Sequence, residues 1–206
     1  MSVEIPRSSR FWDDHYGRGL GSGTGSVGRL AVFKAATVNS LAHRHACRSV
    51  VDLGCGDGTV AGLLDVEGYL GLDASPHAVQ RCRTRFAGDD ARRFEVIDIL
   101  DTEPVPVADL ALSLDVIYHL LEDETFEQYM ARLFSAARRI VAVYADDVDD
   151  EAWPGLRWDE VRHRRFTPWV AAHAPDWRLV ERIPNPFPYV EGDGRTSWAD
   201  FHVFAR

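Results

Sequence analysis

Val50-Val51-Asp52-Leu53-Gly54-Cys55-Gly56-Asp57-Gly58-Thr59 reads as a short, β-branched, buried strand that runs into a glycine loop and then a helix. Glycines at 54, 56 and 58 let the backbone turn and approach a ligand without a Cβ in the way. Open α/β sheets bind ligands at such a crevice, beyond the carboxyl end of a strand. The spacing departs from the dinucleotide fingerprint G-x-G-x-x-G, because position 59 is threonine and the third glycine falls at 58. Asp52, two places before the first glycine, would repel a pyrophosphate and suits a positively charged ligand better.

Working outward, the chain alternates strand and helix. Gly68-Tyr69-Leu70-Gly71-Leu72-Asp73 is predicted as a second strand ending in an acid. Ser75-Pro76 then opens a helix, serine as N-cap and proline in the first turn, with Val79, Cys82 and Phe86 as its buried stripe. Phe94 to Asp98 reads as a third strand and Leu110 to Leu114, an unbroken apolar run, as a central parallel strand. A helix is expected over 123–139, with Phe126, Met130, Leu133 and Ala137 inward and Arg138-Arg139 at its end, followed by a fifth strand at 140–144. Thr167-Pro168 starts a short helix, and 177–183 and 198–205 read as two last strands joined by a Pro/Gly-rich segment. The alternation predicts an α/β fold, a Rossmann-like doubly wound sheet of seven strands, mostly parallel.

Ahead of the glycine loop, 8–20 carries Phe11, Trp12, Tyr16 and Leu20 on a short amphipathic helix. Residues 19–26 are too glycine-rich to hold one structure alone and read either as a flexible linker or as a lid over a ligand, with flanking aromatic residues such as Tyr16 as walls. A second helix is expected over 28–46, with Leu30, Phe33, Ala36/Thr37 and Leu41 inward and Lys34 and Arg44 outside.

Composition sets limits. The 206 residues fit one domain, 46% hydrophobic and 27% charged. No apolar run approaches membrane-spanning length, and residues 1–10 lack a signal-peptide core, so a cytoplasmic location is expected. Cys47, Cys55 and Cys82 form no C-x-x-C pair and read as free thiols. The net charge of −9 argues against wide nucleic-acid contact.

The ordered set Val51–Gly58, Leu70–Asp73, Asp98 and Asp109–Asp115 resembles the class I S-adenosylmethionine-dependent methyltransferases, of small-molecule type, over nearly the whole chain. The resemblance implies a single domain with N-terminal helices and a lid in 1–46, a cap-like insertion at 145–176 and an antiparallel strand near the C-terminus. It implies S-adenosylmethionine as cofactor, S-adenosylhomocysteine as product, and a cofactor site made of Asp52, Gly54, Cys55, Gly56, Asp57, Gly58, Asp73, Ala74, Asp98, Ile99, Leu114 and Asp115. Asp52 suits the cofactor's positive charge, Asp73 is placed for the ribose hydroxyls, and Asp98 for the adenine amine with Ile99 or Leu100 on the ring. Asp73 and Asp98 could instead cap the helices that follow them.

Methyl transfer to a hydroxyl or amine also needs a proton acceptor. His119, after the fourth strand, has the pKa for it, with Tyr118 as a second candidate for substrate contact; His119 could equally only pack or cap. Tyr16, His163 and Arg165 are expected at the acceptor, the basic cluster 162–165 either binding an anion or forming a solvated face. Asp115 with Asp146 or Asp147 could hold a hard cation, but the acidic run 146–151 reads as a solvated loop and no metal is expected. Trp153, Trp158 and Trp169 read as cap packing. A small-molecule O-methyltransferase is the expected function. The alternatives are methylation of RNA or protein, a nicotinamide-dependent oxidoreductase, and a non-catalytic cofactor-binding module.

Overall fold

The computed structural model describes residues 6–101, 103–153, 155 and 158–206. The first five residues, on which part of the leader reading rests, lie outside them. Seven strands form one sheet: β1 (Ser49–Leu53), β2 (Gly68–Asp73), β3 (Arg92–Val96), β4 (Ala108–Leu114), β5 (Ala137–Ala145), β6 (Arg178–Ile183) and β7 (Asp200–Ala205). Their order is β3-β2-β1-β4-β5-β7-β6, and only β7 runs antiparallel to both of its neighbours. β1 pairs on one side with β2 and on the other with β4, so the chain reverses its winding direction between β1 and β4. Such a reversal opens a crevice at the carboxyl ends of those strands.

Helices α1 (Arg7–Gly17), α2 (Gly28–Arg44), α3 (Pro76–Arg85), α4 (Asp123–Ser135) and α5 (Thr167–His173) cover the sheet. Strand alternation sends Val51, Leu53, Ala111, Val141 and Val143 to one face, against Phe126, Met130 and Leu133 of α4. It sends Val50, Leu110, Leu112, Ile140 and Ala142 to the other, against Ala35, Val38 and Leu41 of α2 and Val79 of α3. Covered on both faces, β4 is apolar along most of its length. Ser75 caps α3 as expected, its hydroxyl accepting from Ala78 N at 3.2 Å.

Several expectations shift. The glycine loop leads into a single 3₁₀ turn at Ala61–Leu63 instead of a helix. β3 starts two residues early and ends at Val96, which leaves Asp98 beyond the strand. α4 stops at Ser135, so Arg138 and Arg139 open β5. The apolar spacing continues through this junction, and periodicity alone does not mark where helix gives way to strand. Lys34 is the largest departure. It is fully buried, four residues after Leu30 and four before Val38 on the inner face of α2, while Ala36 is exposed.

No helix among the described residues is long and apolar enough to cross a membrane. Leu110 of β4 has no exposed surface. Leu110→Ala should therefore destabilise the protein by roughly 2–5 kcal/mol in a denaturant melt.

Candidate active site

A cavity of about 550 Å³ opens at the carboxyl ends of β1, β2 and β4, under α1 and the loop that follows it. Its floor is the glycine loop. Gly56 has φ +58°, and a Cβ there would lie 2.5 Å from Ser22 Oγ and 2.8 Å from Tyr16 Oη. Gly54 has φ +89°, and a Cβ there would lie 2.4 Å from a Val116 methyl. Any side chain at either position would be strained and would collide with the cavity's own walls.

Asp73, at the end of β2, holds this loop in place. One carboxylate oxygen accepts from Gly56 N at 2.8 Å and the other from Ser75 N at 2.9 Å. Because Ser75 caps α3 with its own side chain, Asp73 keeps lone pairs for the cavity it lines. Burial raises the pKa of Asp73. Asp52 is more extreme, 2% exposed and with a pKa pushed up to about 6 by burial. Its Oδ2 accepts from Tyr69 Oη at 2.7 Å while Oδ1 has no hydrogen-bond partner. The glycine loop's own N–H groups are taken up by Leu72 O, Asp73 and Ser22, so the unsatisfied carboxylate oxygen is the feature that fits a ligand carrying positive charge.

The opposite wall follows β4. Asp115 takes the left-handed conformation, φ +60°, in which aspartate is tolerated better than most residues. Its carboxylate accepts from Lys34 Nζ and, at 2.6 Å, from Tyr118 Oη. Burial first, and the Asp115 charge second, push the pKa of Tyr118 well up, so it remains a phenol whose one proton points at Asp115. His119 Nδ1 lies 2.9 Å from Glu160 O, and a carbonyl can only accept, so Nδ1 carries the proton and Nε2 has a free lone pair. Burial lowers the pKa of His119, which leaves the ring neutral at neutral pH. Trp12 of α1 packs edge-on against it at 4.9 Å between centroids.

Of the expected site residues, Asp52, Gly54, Cys55, Gly56, Asp73, Ala74, Ile99, Leu114, Asp115, Tyr118, His119 and Tyr16 all line this cavity. Asp57 and Gly58 do not. Asp57 reaches away from the cavity to the covering loop, where its N–H donates to Ser22 Oγ and its Oδ2 accepts from Ser22 N. A Cβ on Gly58 would meet the Phe86 ring at 2.8 Å. Asp98 is exposed, its Oδ1 accepting from Leu100 N, and the cavity is lined instead by its neighbours Ile97 and Ile99. Because β3 ends at Val96, the side chain at 98 turns outward.

His163 and Arg165 also lie outside the cavity. The acidic run is not a solvated loop but a set of acceptors that pins 163–167. Asp146 binds His163 Nδ1 at 2.5 Å, Asp150 binds His163 N, Asp149 binds Arg165 N and Asp147 binds Thr167. His163 is buried flat against Trp153, 4.1 Å between centroids, and the Arg165 side chain is exposed. Arg162 and Arg164 are tied to the carbonyls of Leu120 and Leu121 and to Asp123. Trp158, expected only to pack, faces the cavity while it stacks on Trp198.

Asp146, Asp147, Asp149, Asp150 and Asp115 are thus engaged with protein donors, and no group of three or more metal-binding side chains occurs among the described residues. Lys34 and Trp12 were not expected as site residues. A lysine inside the apolar stripe of α2 was the visible signal for the first; nothing in the sequence tied Trp12 to His119.

The raised pKa of Asp52 makes a stability prediction. Well below the ordinary aspartate value of 3.8 the carboxyl is protonated folded and unfolded, and no penalty exists. As the pH rises towards 6 only the unfolded chain ionises freely, and the folded state loses stability on the order of 2–3 kcal/mol. Asp52→Asn should raise the melting temperature of the ligand-free protein at pH 7–8 and leave it nearly unchanged at the acid end. The opposite pH dependence in a thermal-shift series would show that Asp52 is not a buried, strained carboxyl.

Residues 50–139 match the family model of a methyltransferase domain. No curated protein matches the chain in sequence. Among solved structures, magnesium protoporphyrin IX methyltransferase from Synechocystis PCC 6803, with S-adenosylhomocysteine bound, aligns with TM-score 0.65 and 15% identity, over 96% of this chain and 99% of its own. The methyltransferase domain of a bacterial Hen1 aligns with TM-score 0.64 and 20% identity, over 84% and 96%. A protein from work on the conversion of a disulfide bond into a thioacetal group during echinomycin biosynthesis aligns with TM-score 0.63 and 21% identity, over 96% and 92%. The structural likenesses carry the fold. The domain match runs from β1 through the glycine loop into β5, on the strands that border the cavity.

Proposed function

We propose that the protein methylates a hydroxyl oxygen of a small molecule in the cytoplasm, with His119 as the general base. The observation that carries this reading is the His119 ring, fixed through Nδ1 on the Glu160 carbonyl, neutral, and lining the cavity with Nε2 free. A hydroxyl must lose its proton as it is methylated, and a neutral imidazole within reach is suited to take it. When bound, S-adenosylmethionine supplies an electrophilic methyl group on sulfur.

On this reading the glycine loop, Asp52, Asp73, Ala74, Ile99, Leu114 and Asp115 hold the cofactor, with the backbone at Gly56 giving it room. The loop over residues 19–27 serves as a lid, latched by the Ser22–Asp57 exchange, and 145–176 as a cap within a single domain. Holding nucleophile and methyl in line is the main help that such a site gives. Tyr118 contributes its oxygen to the acceptor wall and cannot be the base, because its proton is committed to Asp115.

A small acceptor is supported over RNA by the basic cluster. Arg162 and Arg164 are spent on protein carbonyls and Asp123, and the chain carries a net charge of −9, whereas phosphate contacts need free cations.

Incubation of metabolite extracts with methyl-labelled cofactor, followed by mass spectrometry, tests the assignment; label found on nitrogen, carbon or RNA would overturn it. With an acceptor in hand, His119→Ala and His119→Asn should lower kcat about 10²–10⁴-fold while cofactor affinity is kept. The wild-type kcat/KM should be flat from pH 7 upward and fall only below the ordinary histidine range, since the basic form is lost when the lowered pKa is crossed.

A further inference from the structure

The acceptor side of the cavity is walled by rings in continuous contact. His119 touches Trp12 and Tyr118, Tyr118 touches Trp198, and Trp198 stacks with Trp158. Among the described lining residues the only lysine or arginine is Lys34, already paired with Asp115, while Asp52, Asp73 and Asp193 add negative charge. Flat apolar walls and no spare cation favour a planar, uncharged guest over an anionic one.

One polar feature interrupts this wall. α1 begins beside β4's side of the cavity, its Arg7 N–H donating to Glu122 Oε1 at 3.0 Å. Ser8 and Ser9 in its first turn line the cavity. Ser8 is only 6% exposed, yet its hydroxyl has no hydrogen-bond partner among the described residues. The amides of a helix's first turn lack intrahelical acceptors and add positive potential at the same point. A hydroxyl on a largely buried residue at the start of an eleven-residue helix, lining a cavity and engaged by no described protein group, is free to donate to an acceptor atom on a ligand. Ser8 stands four residues before Trp12, which abuts His119, and that is about 6 Å along the helix, close to the span of one aromatic ring.

Building on the O-methyltransferase reading, we propose that the acceptor is an uncharged, planar aromatic alcohol that carries a second oxygen across the ring, and that Ser8 and Ser9 determine specificity by donating hydrogen bonds to it. The hydroxyl to be methylated faces His119, the ring lies against Trp12 and the Tyr118–Trp198 wall, and the second oxygen meets the start of α1.

The test uses three probes and calorimetry on protein saturated with S-adenosylhomocysteine. 4-Hydroxyacetophenone has ring, hydroxyl and carbonyl; 4-isopropylphenol keeps the shape without the carbonyl; 4-acetylcyclohexanol keeps both oxygens without the flat ring. The wild-type protein should bind the first about tenfold more tightly than 4-isopropylphenol, the worth of one or two hydrogen bonds, and about tenfold more tightly than 4-acetylcyclohexanol, the worth of the flat ring against the aromatic wall. Ser8→Ala/Ser9→Ala should erase the preference for the carbonyl and keep the preference for the flat ring. Retained affinity for S-adenosylhomocysteine shows that the variant folds, and Ser9→Ala alone, at a half-buried position, serves if the double variant does not. A wild-type protein indifferent to the carbonyl, or a variant that keeps the preference, overturns the proposal and leaves the methyltransferase reading standing. Failure of S-adenosylhomocysteine to bind the wild-type protein would instead overturn that reading and this proposal with it.

Discussion

The carboxylate of Asp73 joins three pieces of chain that must meet for a ligand site to exist. It sits at the end of β2, receives the Gly56 N–H of the glycine loop, and receives the Ser75 N–H at the start of α3. Each of those groups would otherwise be an unpaired buried donor. The bond to Gly56 fixes a loop whose left-handed glycines give it no preference of its own. The crevice at the β1–β4 reversal thereby acquires a floor of set shape.

Charge then divides the cavity. On the β1–β2 side two buried carboxyls stand with raised pKa values and one unsatisfied oxygen, a cost that a cationic ligand would relieve. On the β4 side Asp115 is met by Lys34 and Tyr118, and no net charge of that kind remains. Negative charge is thus concentrated on one side of the cavity, and the other is lined by rings, by a neutral histidine and by the start of α1.

Much of this was legible in the chain. β2 and α2's start fall where hydrophobic pattern and glycine place them, and Ser75-Pro76 opens α3 because both residues act through local geometry. That Gly54, Gly56, Asp73 and His119 share one cavity was legible for the same reason, since strand ends in a doubly wound sheet share one edge. Lys34 was not: a charge on an amphipathic helix is assigned outward unless its partner is known, and Asp115 is 81 residues away. The basic run 162–165 was read alone as an anion site or a solvated face, and the acidic run 146–151 alone as a solvated loop. In the structure the acids accept from His163 and from backbone N–H groups of 163–167, while Arg162 and Arg164 turn to Asp123 and the carbonyls of Leu120 and Leu121. Asp98 was misplaced because the end of β3 is set by pairing with β2, which single-sequence pattern does not fix.

The most direct test of the account is calorimetric titration of S-adenosylmethionine into the wild-type protein and into Asp73→Ala. If Asp73 both fixes the glycine loop and faces the cofactor, the substitution removes charge-assisted hydrogen bonds worth roughly 1.5–3 kcal/mol each, and affinity should fall at least about tenfold. Wild-type affinity in a folded Asp73→Ala protein would contradict it, and the cofactor would have to be held elsewhere.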